Sequence, residues 1–114
     1  MFRKIKAPRS STEKEILDIC QRELGCDRCR IEPGPTMEVI YKTSPPANTI
    51  AVLVDISSAG GAIKIGEASD NALGVGAVGM VGTEDAGDLV IVPWNVGWWY
   101  YSIGSIGIKY IVKA

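Results

Sequence analysis

From residue 28 onward this chain meets a turn signal roughly every 8–12 residues. Pro33-Gly34-Pro35, Thr43–Asn48, Ser57–Gly61, Gly66–Ala72, Gly82–Gly87 and Trp94–Gly97 are the punctuation. Short apolar runs at that spacing read as the strands of a small sandwich or barrel. Met37–Lys42 alternates apolar and polar residues, as a half-buried strand does. Thr49–Ile56 is apolar on both faces, the pattern of a strand covered from both sides. Ala62–Ile65, Leu73–Val81 and Asp88–Val92 read as further strands, the last ended by Pro93. Trp98–Ser102 and Ile106–Lys113 read as a closing hairpin around Ile103-Gly104-Ser105.

One segment has the other period. Ile16, Cys20 and Leu24, widened by Leu17, form a stripe along a helix predicted over 12–24. Ser10 with Glu13 and Thr12 with Glu15 both fit a capping box, and Gly25 suits the left-handed position that ends a helix. The expected fold class is therefore α+β, mainly β: a small antiparallel β-sandwich or barrel with one N-terminal amphipathic helix. With 114 residues it is one domain, divided into a basic arm (1–9), the helix (10–25) and a β-rich body (28–114). A chain of this size buries about two thirds of its unfolded surface, enough for a core.

Absences narrow the chemistry. There is no histidine, so neither a Ser-His-Asp nor a Cys-His arrangement exists within the chain. Cys26 and Cys29 have zinc-knuckle spacing, and Cys20 could add a third thiolate, but a closed site needs four ligands. Reduced thiols, with Cys20 packed as a small hydrophobe, are the simplest expectation. Gly74-x-Gly76-x-x-Gly79 matches a dinucleotide fingerprint, but Gly82, Gly87 and Pro93 follow where a helix should start. Glu67 with Asp70, and Glu84 with Asp85 and Asp88, read as solvated turn acids, and Ser57 and Ser58 near Lys64 lack a supporting partner. No catalytic residue, metal ligand or cofactor is assigned. The net charge of −1 gives no field toward nucleic acid. No run of 18 apolar residues and no leader-like apolar core is present, so neither membrane nor secretion is expected. The expected location is the cytoplasm, or the virion if the protein is viral.

Two features point outward. Arg3, Lys4, Lys6 and Arg9 make residues 1–9 a basic arm without an acid, whereas residues 43–114 carry Asp55, Glu67, Asp70, Glu84, Asp85 and Asp88 against Lys64, Lys109 and Lys113. A basic arm on an acidic body suits contact between copies, or with another acidic protein. The second feature is aromatic. On a strand, Trp98 and Tyr100 point one way and Trp99 and Tyr101 the other, with Trp94 in the adjoining loop. Such residues are enriched at interface hot spots, and the same platform could stack a sugar or a base.

Two family resemblances accompany these readings. Gly87-Asp-Leu-Val-Ile-Val-Pro93 resembles the start of the second cupin motif. Without a following histidine, it implies a metal-free, ligand-binding cupin-like domain. Ala72–Val92, with its Ala/Gly-rich strand, acidic turn and Ala-Gly-Asp strand start, is similar to the small β-domains of bacteriophage capsid decoration (cement) proteins. That resemblance implies a non-enzymatic virion protein that binds neighbouring subunits, commonly as a homo-oligomer. The combined expectation is a structural interaction module using Arg3, Lys4, Lys6, Arg9, Trp94, Trp98, Trp99, Tyr100 and Tyr101. The alternative is a small ligand-binding or carbohydrate-stacking β-domain.

Overall fold

The computed structural model describes residues 3–35, 39–56, 61–67, 77–82, 85, 87–104 and 106–114, the side chains of 39–42 and 77 excepted. The elements in chain order are β1 (Ile5–Pro8), α1 (Glu13–Leu24), β2 (Cys29–Pro33), β3 (Val39–Thr43), β4 (Thr49–Ile56), β5 (Ala62–Gly66), β6 (Ala77–Val81), β7 (Asp88–Pro93), β8 (Trp99–Ile103) and β9 (Ile106–Lys113). The strands form two sheets, ordered β1-β7-β4-β9-β2 and β3-β8-β5-β6. Each pairing is antiparallel. The result is a mainly β sandwich with one helix, as the turn spacing and the single helical stripe require.

The sheets stack through one core. Val52, Val54 and Ile56 of β4, Val90 and Val92 of β7, and Ile108 and Val112 of β9 face Ile63, Ile65, Val81 and Tyr100 of the four-stranded sheet. The phenol oxygens of Tyr100 and Tyr110 meet across this core at 2.5 Å, a polar tie between the sheets. The opposite face of the five-stranded sheet is also buried. Ala51, Leu53, Leu89, Ile91 and Ile111 pack there against Ile16 and Cys20 of α1. This is why β4 is apolar on both faces: from Ala51 onward, Ala51 and Leu53 meet the helix side and Val52, Val54 and Ile56 the second sheet.

The helix forms where its signals lie. Thr12 is the N-cap; its hydroxyl accepts from the Glu15 N–H, and Glu15 reaches back to the Thr12 N–H. Of the two capping pairs in the sequence, this is the one in use. Gly25, at φ 69°, ends the helix in the left-handed region. Full burial of Ile16 contributes about 1.5–3 kcal/mol to seating the helix.

Two expectations are corrected. Residues 5–8 of the basic arm, expected to reach a neighbour, form β1, paired with β7 at the sheet edge of their own chain. Within the β-rich body, Cys29–Pro33 is a strand, β2, paired with β9. Both are short edge strands containing a proline, too brief to show a period. The second correction concerns the end of the chain. β8 and β9 belong to different sheets, so Trp98–Ser102 and Ile106–Lys113 are not a hairpin. The chain passes between the sheets at Gly104, whose φ of 88° suits the abrupt turn. The expected strand over Leu73–Val81 is described only as β6; its earlier residues lie outside the described residues, as do Ser57, Ser58, Asp70 and Glu84.

Candidate functional site

Alternation along β8 sorts the aromatic stretch into two roles. Tyr100 and Ser102 point into the sandwich and are wholly buried. Trp99, Tyr101 and Ile103 therefore stand on the outer face of the four-stranded sheet. Register carries that face onto the neighbouring strands. Tyr101 lies opposite Lys64 of β5, Lys64 opposite Met80 of β6, and Ile103 opposite Ala62. Ile103 is 45% and Met80 43% exposed. The other exposed large hydrophobic residue among those described is Val96, 90% exposed, in the loop that leads into β8. Ile103 and Met80 thus fall on the four-stranded sheet's outer face, and Val96 in the loop at the end of the sandwich.

The loop between β7 and β8 is anchored at both ends. The Trp94 N–H donates to the Ile50 carbonyl at 2.9 Å, and the Trp98 N–H donates to the Asn95 carbonyl at 3.2 Å. Trp94 meets Trp98 edge-on at 5.5 Å and Tyr100 edge-on at 6.1 Å. Both tryptophans pack on the sandwich core and close its end. Their perpendicular planes do not make a flat platform for a sugar or a base. Two shallow clefts flank the loop, of ≈180 and ≈420 Å³, and share Ala47, Thr49, Trp94 and Val96. Tyr100, expected among the contact residues, has no exposed surface and is a core residue.

The basic segment folds back on its own chain. Arg3 pairs with Glu23 of α1 at 2.7 Å, and Arg9 lies 3.4 Å from Asp55 of β4. Lys4 and Lys6 both reach Asp85, at 3.0 and 3.1 Å. Asp85 was expected in a solvated turn, yet it is only 1% exposed. Its Oδ2 also accepts the Gly82 N–H at 3.2 Å. Burial opposes ionisation of this carboxyl, but the hydrogen bonds from Lys4, Lys6 and Gly82 together outweigh it and hold the pKa below the ordinary value. The acid that looked like a surface group is the clamp that fastens β1 beside β7.

The cysteines also differ from expectation. Cys26 and Cys29 are joined as a disulfide rather than held as thiols. The left-handed turn at Gly25 carries Cys26 back toward the first residue of β2, leaving the two Cα atoms 6.1 Å apart, within bridging range. Cys20 is the buried free thiol, and burial raises its pKa to about 11, as suits a packing residue. Among the described residues no group of three or more His, Cys, Asp or Glu is arranged to hold a metal. None of the described helices is long and apolar enough to cross a membrane.

Sequence reasoning found Trp99 and Tyr101 but missed Met80 and Ile103. Extending the β8 alternation by two residues finds Ile103; Met80 requires the pairing of β6 with β5, which no local signal encodes. In comparisons with known proteins, no family model, curated protein or solved structure matches this chain.

Proposed function

We propose that this chain is a non-catalytic interaction module that packs against a second copy of itself through the outer face of its four-stranded sheet. The observation that carries the reading is the row of Trp99, Tyr101, Ile103 and Met80, with Ile103 and Met80 still 45% and 43% exposed in the single chain. Lys64 is the charged residue among the described side chains of that face, so two copies meet with little like-charge opposition. Four strands about 4.8 Å apart and five residues long present a footprint of about 300 Å². A standard interface takes about 800 Å² per partner, so the face alone supports a weak contact. The resemblance of Ala72–Val92 to capsid decoration proteins suggests a setting in which many weak contacts act together, a virion surface. The basic residues Arg3, Lys4, Lys6 and Arg9 support this reading indirectly, by fastening β1 to the body.

The test is solution mass by light scattering after size exclusion, at high micromolar concentration, for the protein and for an Ile103→Lys, Met80→Lys double variant. A discrete oligomer that the double variant converts to a folded monomer is the expected result. A monomeric parent protein, or an oligomer untouched by both substitutions, overturns the reading.

A further inference from the structure

The side of the molecule away from the aromatic face holds a second candidate site. Between the start of α1 and the outer surface of the five-stranded sheet lies a cleft of ≈230 Å³. Its floor is aliphatic: Ile16 from the helix and Ile31, Leu53 and Leu89 from β2, β4 and β7. Its rim is ionic. Arg9 and Glu13 come from the helix side, and Asp55 and Lys109 from the sheet side. The two pairs that span it are loose. Arg9 lies 3.4 Å from Asp55 Oδ1, and Lys109 lies 3.8 Å from Glu13. Asp55 Oδ1 is shielded from water and accepts no hydrogen bond among the described residues, although Arg9 is within ion-pair range. The space exists because Asp55 sits opposite Gly107 on β9, which has no side chain to fill it.

We infer that this cleft binds a free aliphatic α-amino acid. The reasoning is one of charge balance and size. The rim carries two cations and two carboxylates, so a ligand with net charge would leave an excess in a partly enclosed space. A zwitterion leaves none: its carboxylate takes Arg9 and Lys109, and its ammonium takes Asp55 and Glu13, so each rim charge exchanges a loose partner for one of the ligand's. The aliphatic floor then receives an aliphatic side chain. The volume lies under the range of about 300–1,000 Å³ that suits drug-sized ligands, and so selects a small molecule. The site shares no residue with the proposed self-contact and stands whether or not that contact exists.

Calorimetric titration of the intact protein with L-leucine, leucinamide, 4-methylpentanoate and glycine tests this. Saturable leucine binding is expected, with each of the other three at least about tenfold weaker, because each lacks a charge or the side chain that the cleft reads. Gly107→Val supplies a blocking variant. A β-carbon there would meet Asp55 Cβ at 3.6 Å, an ordinary contact, so the sheet tolerates it while the space fills. This variant is expected to melt near the parent temperature and to lose leucine binding. Absence of saturable leucine binding overturns the inference. So does equal binding of 4-methylpentanoate, or leucine binding that survives Gly107→Val.

Discussion

Replacing Asp85 with Asn removes the charge that Lys4 and Lys6 share while keeping the side chain's size. An isolated loss of one partner from a fully buried ion pair costs about 3–5 kcal/mol. Here the lysines are not fully buried: their side chains are 25% and 49% exposed, and both keep further interactions. They can recover hydration, and the Asn oxygen can still accept the Gly82 N–H. The loss is then about one charge-assisted hydrogen bond, about 2 kcal/mol. For 114 residues the unfolding entropy is about 0.24 kcal/mol/K, so the melting temperature should fall by about 8 °C. The effect must also depend on pH with a definite sign. The folded carboxyl is held below its ordinary value, so its stabilisation is complete above the unfolded pKa of about 4 and disappears as pH falls through the folded value. Circular-dichroism melts of both proteins, at neutral pH and again at successively lower pH down through the titration of the folded carboxyl, check this. The gap should be wide at neutral pH and should close in acid. Equal melting temperatures at neutral pH, or a gap that persists unchanged in acid, would refute the account of Asp85 as the clamp on β1.

The remaining predictions concern the two sheets and their fastenings. Tyr100→Phe leaves the Tyr110 hydroxyl without its partner in the core and should cost about 1–3 kcal/mol, whereas the Tyr100→Phe, Tyr110→Phe double variant should recover part of that loss in denaturant titration. Burial raises the pKa of both phenols, so absorbance titration should show them protonated above pH 10, until the protein unfolds; the stability tied to them is present below the unfolded pKa and lost as pH rises. Reducing the Cys26–Cys29 bridge opens a four-residue loop and should lower stability by about 2 kcal/mol at most, while Cys20 should resist thiol reagents until denaturant is added. Gly34→Ala places a methyl group against the Ile108 carbonyl, to which the Gly34 N–H donates; a cost of about 1–3 kcal/mol is expected in thermal melts.

What could be read from the chain followed from how local each signal was. The helix was legible because its cap, its stripe and its terminating glycine all lie within 14 residues, from Thr12 to Gly25. β4 was legible because burial on both faces leaves eight residues almost without polarity. β1 and β2 were not, because a four- or five-residue edge strand with a proline takes its identity from its neighbours, β7 and β9. The false hairpin arose because a glycine turn between two apolar runs reads the same whether the chain returns along its own sheet or passes to the facing one. The role of Asp85 could not be read at all. Its partners lie some eighty positions earlier, and nothing in Gly82–Gly87 marks that acid rather than its neighbours as the buried one. The outer aromatic face was half legible, from the alternation of Trp99 and Tyr101; its extension to Met80 depends on strand order.

The pairing of Ile5 with Ile91 has a consequence for how the chain comes into being. Synthesis runs from the N-terminus, so the first strand leaves the ribosome long before its neighbour exists. Until β7 emerges, residues 5–8 have open backbone groups, and Lys4 and Lys6 still lack Asp85. The helix carries its own start and stop signals, but its apolar stripe also waits, because β4, β7 and β9 complete the surface it covers. Such topologies close slowly, since the long loop must be drawn in before any contact repays it. Lys6 and Pro8 on that waiting strand guard it against pairing with a neighbouring nascent chain, so the lysine that later helps fasten the folded molecule also protects it during its assembly.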